Sequence, residues 1–415
     1  MPTIYQPPSN PANFALSSYE ALRARAAGWI GRISGGGRHP RPSNALSIPS
    51  ADLTAETDIR KYHCEKGWRL AAQGRWNRLS EKLSAADVER VKTPAGKPVA
   101  QLLSRGARLV LAPKLDRIVL DGLGERDVLI RVLCERAATD HLLAAVLVVA
   151  HVEAARSGDT PHMPGRDRAH LAGLHLQAAD RLMKPFETAE RGSPLLAAAD
   201  CMLIAAGKDT ERDLSQGYAL AIDLDPSDPG PMRALGRRLV ASANADLARL
   251  EGVAVQTAAR TREFWGEGGY TWVMLDALRR DPDVLSCLDA EFFIDGMRDI
   301  LARDRSQATV NLLAAACAAV ENQQGIADPR GRANRDRLVA CSDWIVRDHL
   351  RELHPALWLA GQPRNRSPHA GAPLRRSPEA ARETALNFIA RRFGRELAAG
   401  HRVVFTPNGP ETLRG

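Results

Sequence analysis

The chain has 415 residues, of which 44% are hydrophobic, and this length permits either several domains or one long helical array. Aromatic residues reach only 5% while Ala and Leu dominate, so the summed propensities favour helices and exclude an all-β fold. The formal net charge of +8 is a signal for nucleic-acid binding only if the charge is spread over a broad surface.

The positive charge lies mainly at the two ends of the chain. Residues 1–42 carry five Arg against one Glu, and residues 360–402 carry nine Arg against three Glu. The ends therefore contribute +4 and +6 of the total of +8, which leaves −2 for the body. A body close to neutral does not indicate a duplex-binding surface, so nucleic acid is expected to bind only through the basic ends.

The predicted elements begin with a Pro-, Ser-, Asn- and Gly-rich segment, residues 1–50, which indicates a flexible basic arm. After it, apolar spacings of three and four predict helices in two regions, 51–190 and 191–358. Asp228-Pro229 and Asp281-Pro282 each place an N-cap acceptor before a proline, so both are predicted helix starts. The candidate helices lie near 57–72, 76–91, 97–111, 125–156, 166–190, 194–206, 209–222, 229–250, 252–264, 270–280, 283–303, 306–320 and 333–352.

The C-terminal region, 359–415, combines a linker with a basic amphipathic helix that Ser377 can cap and Gly400 ends. Its apolar side is formed by Phe388, Ile389, Phe393 and Leu397. We expect that side to dock on the helical body, with an anionic lipid or nucleic acid as the alternative for its arginines. Residues 403–405 fit either a short strand or an unpaired tail.

Six cysteines stand at wide spacings without a C-x-x-C pair, which is typical of small buried side chains in a reducing compartment. The N-terminus has no charged segment followed by an apolar one, and the longest apolar run is nine residues, Leu142 to Ala150. That run is far shorter than the roughly 20 residues of a membrane span. We therefore expect a cytoplasmic protein without a transmembrane segment.

One stretch resembles the junction between two tetratricopeptide repeats. In that family, one helix ends in a large and a small residue and is followed by an Asp-Pro turn. The next helix then has large residues at repeat positions four, seven and eleven and a small residue at position eight. The residues that carry the likeness are Tyr218, Ala221, Pro226, Met232, Leu235, Gly236 and Leu239. The resemblance is clear over about 25 residues and looser over 190–352.

The resemblance implies an irregular α-solenoid-like array of antiparallel helix pairs, whose concave surface binds a protein or peptide partner. A helical bundle with a single Asp-Pro turn is the alternative fold. The leading functional hypothesis is a protein-interaction scaffold or adaptor, which has no chemistry of its own.

The alternative hypothesis is a helical enzyme or small-ligand-binding protein with its site near Trp265–Trp272, where glycines and aromatic residues precede a helix. A tight turn with Trp265 and Trp272 packed inward also fits this composition. Candidate partner-binding residues are Asn244, Asn311, Trp265, Tyr270 and Trp272.

No catalytic residue, metal site or cofactor is predicted. His170 and His175, like His349 and His354, are five residues apart, so they do not share a helical face. The acids Glu291, Asp295 and Asp299 do share a face, but it lies opposite the apolar side and indicates a solvated surface. Neither a nucleotide-binding loop nor a nucleophile elbow occurs.

Overall fold

Helices make up most of the computed structural model, which describes residues 45–50, 54–120, 128–157, 165–207, 214–241, 246–359 and 378–414. Within these residues there are nineteen α-helices, one π-helix and three short strands, so the all-α prediction is confirmed. The N-terminal arm up to residue 44 and the linker at 360–377 lie outside the described residues. None of the described helices is long and apolar enough to cross a bilayer.

The elements follow one another in this order: β1 (Leu46–Ser47), α1 (Thr54–Ala72), α2 (Trp76–Val88), α3 (Val99–Leu120), α4 (Val128–Ala137), α5 (His141–Ser157), α6 (Gly165–Met183), α7 (Thr188–Arg191), α8 (Pro194–Ile204), α9 (Leu214–Leu224), α10 (Pro229–Leu239), α11 (Leu247–Trp265), α12 (Gly268–Leu278), α13 (Val284–Cys287), α14 (Ala290–Arg303), α15 (Gln307–Glu321), α16 (Pro329–Trp344), a π-helix (Ile345–His349), α17 (Pro355–Trp358), α18 (Pro378–Arg392), α19 (Gly394–Ala398), β2 (His401–Thr406) and β3 (Gly409–Arg414).

One of the two predicted helix starts is confirmed and the other is wrong. The Asp228 carboxylate accepts a hydrogen bond from the Gly230 amide at 2.9 Å and caps α10, with Pro229 in the first turn. Asp281-Pro282 instead forms a turn before the four-residue helix α13. The backbone is extended at Leu288, and the next long helix begins only after Asp289, which caps α14 through the Phe292 amide.

The buried apolar side chains form two clusters that meet at α8. The first cluster draws on α1 to α8, and the second runs from α8 to β2. Helix α8 serves both, because Leu196 and Ala199 belong to the first cluster while Ala197 and Cys201 belong to the second. Since helical residues two apart point in different directions, this one apolar helix can pack on both sides.

Polar contacts tie the end of α2 to the helices on either side of α8. The buried Asp87 carboxylate accepts hydrogen bonds from Ser193 Oγ (2.5 Å) and from the Leu195 amide (2.9 Å). Arg90, which has a positive φ of 53°, donates to the carbonyls of Gly192 and Leu224. The C-terminal ends of α2, α7 and α9 are therefore held together by one guanidinium, which satisfies carbonyls that lack helical partners.

The C-terminal helix packs on the body, as expected from its apolar side. Phe388, Ile389 and Phe393 are buried in the second cluster, and Arg391 and Arg392 pair with Glu321 of α15 at 2.8 and 3.0 Å. These two arginines thus share one carboxylate of the body.

The short strand considered at 403–405 is part of a three-stranded sheet with the order β1-β2-β3. Strand β2 pairs in antiparallel fashion with β3 and in parallel fashion with β1, where Leu46 aligns with Val403. Residues 46 and 47, which the sequence placed in the flexible arm, are held in the fold by this pairing. A two-residue strand carries too little periodicity to be predicted from sequence.

Candidate functional site

The aromatic residues predicted as a binding site lie in the core. Trp265 donates its indole N–H to the Pro226 carbonyl at 2.8 Å and meets Trp272 edge to face, with the ring centroids 5.6 Å apart. The Tyr270 ring stacks on Phe292, and its hydroxyl accepts from the Asp289 amide. The tight turn with inward tryptophans is therefore confirmed, and these side chains present no surface to a partner.

Asn311 is also buried rather than exposed on a groove. Its amide nitrogen donates to the carbonyls of Gln307 and Glu352, and its oxygen accepts from the His354 amide and the Trp358 indole, all at 2.8–2.9 Å. These four bonds meet the full capacity of the side chain, so Asn311 joins α15 to α17. Asn244 lies outside the described residues.

The predicted repeat-packing residues are mostly buried. Tyr218, Ala221, Met232 and Leu235 are buried, whereas Pro226 and Leu239 are half-buried. Gly236 allows α10 to approach α12 closely, because a Cβ at this position would lie 1.9 Å from the Val273 carbonyl oxygen. Tyr218 and Ala221 also line a cavity, a role that the repeat pattern did not suggest.

The histidines form a pair that their sequence spacing does not reveal. His151 of α5 and His175 of α6 are buried, with their Nδ1 atoms 3.0 Å apart. Burial and the neighbouring His175 lower the pKa of His151 to about 4. Within the part of the chain that the structure describes, no three metal-ligating side chains come together.

A cavity of about 750 Å³ lies among five helices of the described chain. Helix α3 packs against α5, α5 against α8, α8 against α9, and α9 against α10. Helix α8 forms an apolar floor between the walls and contributes Leu195, Ala198, Ala199, Met202 and, at its C-cap, Ala205. The cavity thus lies where the two apolar clusters meet, a common location for ligand sites.

The walls of this cavity are strongly basic. Seven of the described lining side chains are basic and only one, Glu153, is acidic. Six of the basic residues lie on helices far apart in the sequence, and the seventh precedes α3. They are Lys97, Arg105, Arg108, Arg156, Arg233, Arg237 and Arg238. A concave surface lined by one sign of charge concentrates its electric field in the cavity and attracts ions of the opposite sign.

Three of these cations have carboxylate partners. Arg108 donates to both oxygens of Glu153 at 2.8 and 3.0 Å. Behind the wall, the buried Asp276 of α12 accepts two hydrogen bonds from Arg233 and one from Arg237. Burial raises the pKa of Asp276, but Arg233, Arg237 and Arg279 lower it more, so that the net effect is a lowered pKa. Asp276 is therefore a charged anchor that orients the α10 arginines.

The other four cations pair with no carboxylate among the described residues. Arg156 donates only to the Met202 carbonyl, and Lys97 donates to the Gln101 side chain at 2.7 Å. No hydrogen bond or ion pair involves Arg105 or Arg238 within the described part of the chain. Burial lowers the pKa of Lys97, and Asp228 opposes this while Arg60, Arg105 and Arg233 add to it. Among the described residues, the walls therefore carry more positive charge than the neighbouring carboxylates neutralise.

The remaining reactive groups of the cavity are not activated. Burial raises the pKa of the Cys201 thiol, which donates to the Gly217 carbonyl, so a thiolate is disfavoured. Burial and Cys201 raise the pKa of Tyr218 to about 12, although Arg238, Arg237 and Arg156 oppose the rise. Neither Cys201 nor Tyr218 is therefore an activated nucleophile, and the basic lining is suited to binding an anion.

A comparison with protein-family models, curated proteins and solved structures finds no match to this chain. A sequence signal for the cavity does exist, because Arg105/Arg108 and Arg233/Arg237 recur at helical spacings of three and four and so share a face. That signal predicts that each helix has a basic face. It does not predict that these faces surround one cavity.

Proposed function

We propose that this protein binds a small, negatively charged ligand in the cavity between α3, α5, α8, α9 and α10. The observation that carries this proposal is that the described cavity lining has seven basic side chains and one acidic side chain. Clustered like charges destabilise a fold unless an anion compensates them. A bound anion supplies the carboxylate or phosphate oxygens that Arg and Lys side chains favour.

Size and polarity restrict the class of ligand. The volume of about 750 Å³ lies in the range of small-molecule pockets, which extends over roughly 300–1,000 Å³. The floor on α8 is apolar, and Leu195, Ala199 and Met202 are among the residues that line it. The ligand that fits best combines anionic groups with an apolar or planar body, as phosphorylated metabolites and organic acids do.

The test is a binding screen with matched neutral and charged compounds. Thermal unfolding is followed with a panel of phosphate monoesters, polycarboxylates and their uncharged parent molecules, at constant ionic strength. The proposal predicts that only the anions raise the midpoint, and that saturating ligand at 100 times Kd adds about 2.7 kcal/mol of stability. Equal shifts from the charged and neutral members of each pair would contradict it.

The adaptor function inferred from the sequence stays a second proposal. We propose tetratricopeptide-like helix pairs around α9 and α10, and the support for this is the close approach at Gly236 together with the Asp228 cap. In that arrangement an acidic peptide is the partner whose charge complements the cavity walls. A Glu-rich hexapeptide added to the panel separates the two proposals, because the adaptor function requires it to bind more tightly than the small anions.

A further inference from the structure

One buried polar side chain of the cavity has no hydrogen-bond partner among the described residues. Tyr218 of α9 lines the cavity and is only 4% exposed, and no hydrogen bond involves its hydroxyl group in the described part of the chain. Tyr270, which is also buried, differs because its hydroxyl accepts from the Asp289 amide at 2.9 Å. A buried hydroxyl without a partner costs free energy, so such a group calls for a functional explanation.

The Tyr218 oxygen is in contact with the space of the cavity. Fully enclosed side-chain atoms without a partner include the indole nitrogens of Trp76, Trp272 and Trp344 but not this oxygen. The oxygen is therefore accessible, and the space that Tyr218 lines is the cavity. Burial raises the pKa of Tyr218 to about 12, so the hydroxyl keeps its proton near neutral pH and is available as a donor.

Tyr218 lies deeper in the cavity than the arginines that have no carboxylate partner among the described residues. Arg105, Arg156 and Arg238 are exposed residues, whereas Tyr218 is buried. Attraction by these arginines alone can hold an anion at the rim of the cavity. A contact with the Tyr218 hydroxyl requires the anion to enter, so this hydroxyl distinguishes a binding site from a basic surface.

Arg156 approaches the same part of the cavity from α5. Its guanidinium donates to the Met202 carbonyl at 3.2 Å, and this is its one hydrogen bond within the described part of the chain. The thiol of the neighbouring Cys201 donates to the carbonyl of Gly217 at 3.4 Å, and Tyr218 follows Gly217 in α9. Both donors therefore lie beside the last turn of α8, and Arg156 has further N–H groups to offer.

We infer that the Tyr218 hydroxyl donates a hydrogen bond to the anionic group of the ligand, which lies between Tyr218 and Arg156 beside the last turn of α8. This inference rests on the proposed function and assigns its binding residues. One carboxylate, sulfonate or phosphate group accepts from both a hydroxyl and a guanidinium, and hydrogen bonds to a charged group are stronger than neutral ones. The hydroxyl recognises an oxygen of the ligand, and Arg156 supplies the opposite charge.

The experiment compares Tyr218→Phe with Tyr270→Phe, because each variant removes one buried hydroxyl without a change in charge. Calorimetric titration of the full chain with pyrophosphate, phenyl phosphate and citrate measures the anion affinity. Thermal unfolding without ligand measures stability. Arg156→Gln is compared in the same way with Arg78→Gln, which changes an exposed arginine of α2 outside the cavity lining.

The inference predicts that Tyr218→Phe binds the anions at least about tenfold more weakly than the wild type, equivalent to about 1.4 kcal/mol, without a lower unfolding midpoint. Tyr270→Phe should show the reverse pattern. Its affinity should be unchanged, and its midpoint should fall by about 1–4 °C because the Asp289 amide loses its acceptor. Arg156→Gln should weaken binding about tenfold, whereas Arg78→Gln should not weaken it.

An unchanged affinity of Tyr218→Phe, the result expected if water alone serves the hydroxyl, overturns the inference and leaves the proposed function intact. An unchanged affinity of Arg156→Gln overturns it equally. A lower midpoint of Tyr218→Phe without ligand also contradicts the inference, because the hydroxyl would then stabilise the fold itself. If none of the three anions binds the wild type, the proposed function fails and the inference fails with it.

Discussion

Asp276 and Arg233 form a two-point ion pair that crosses from α12 to α10, with Arg233 Nε 3.1 Å from Oδ2 and a terminal nitrogen 3.0 Å from Oδ1. The carboxylate is almost fully buried, and Arg237 shares it from the next turn of α10. One acid behind the cavity wall therefore sets the positions of two of its basic side chains. A paired geometry of this kind fixes a guanidinium more firmly than a single hydrogen bond does.

We expect Asp276→Asn to lower the free energy of unfolding by about 2–4 kcal/mol, because it leaves Arg233 partly buried without its counter-charge. The measurement is urea denaturation at neutral pH. Asp295→Asn is the matched control, since Asp295 pairs with Arg298 where both side chains are more than half exposed. The control should change stability by less than about 1 kcal/mol. Equal losses in the two variants would show that Asp276 has no special structural role.

Removing the one acidic side chain of the cavity should strengthen anion binding. Glu153→Gln takes away a negative charge at the mouth of the cavity and frees Arg108 for the ligand. We expect the affinity for an anionic ligand to rise about fivefold, equivalent to about 1 kcal/mol of relieved repulsion and added attraction. Calorimetric titration of wild type and variant checks this. Glu291→Gln, an exposed acid on α14, should leave the affinity unchanged, and a weaker affinity in Glu153→Gln would contradict the electrostatic account.

Two glycine-to-alanine substitutions distinguish the effect of close helix packing on stability from the effect of helix propensity. Gly236→Ala places a methyl group against the Val273 carbonyl and should destabilise the protein by about 1–3 kcal/mol, because α10 and α12 must move apart. Gly252→Ala, on the exposed side of α11, meets no atom within 4 Å and should stabilise by about 0.5–1 kcal/mol. Thermal unfolding of both variants provides the measurement. A stabilising effect of Gly236→Ala would mean that the two helices are not in close contact.

The His151–His175 pair should make the protein sensitive to acid. The folded-state pKa of His151, about 4, lies below its ordinary value of 6.5, so the unfolded chain binds the proton more readily. The stabilising contribution is therefore complete above about pH 6.5 and is lost as the pH falls towards 4, with a total of about 3 kcal/mol. The structural cause is that two buried Nδ1 atoms at 3.0 Å allow one N–H between them but not two.

The measurement for this pair is the free energy of unfolding between pH 7 and 4.5 in the wild type, His151→Gln and His170→Gln. His170 is an exposed histidine on the same helix as His175, so its variant should keep the full pH dependence. His151→Gln should flatten the curve over that range. Identical slopes in all three proteins would rule out the buried pair as the source.

The features that the sequence predicted are local ones. The helices and the cap at Asp228 follow from apolar periodicity and from side chains that act within one turn. The inward packing of Trp265 and Trp272 follows from the glycines beside them, which allow a tight turn. The predicted helix start at Asp281 was wrong because an Asp-Pro pattern also begins a simple turn. The later start is fixed by Asp289, whose side chain accepts a hydrogen bond from the Phe292 amide.

The cavity could not be predicted because its components are distant in sequence. Arg105, Arg156 and Arg238 lie on three different helices. In the net charge of the body, their positive charges are cancelled by exposed acidic residues elsewhere, so the sum does not reveal the cavity. The assignment of Asn311 to a binding surface failed for a related reason. Its four hydrogen-bond partners include residues more than 40 positions away, and nothing local shows that they surround it.

The most direct test of the central claim compares two triple variants with the same change in net charge. Arg105→Gln/Arg156→Gln/Arg238→Gln removes the cavity arginines that have no carboxylate partner among the described residues. Arg69→Gln/Arg78→Gln/Arg402→Gln removes three exposed arginines outside the lining. Thermal unfolding of each is followed with pyrophosphate at fixed ionic strength. The account predicts that pyrophosphate stabilises the wild type and the surface variant equally and does not stabilise the cavity variant. Equal stabilisation of all three proteins would show that the cavity is not the anion site.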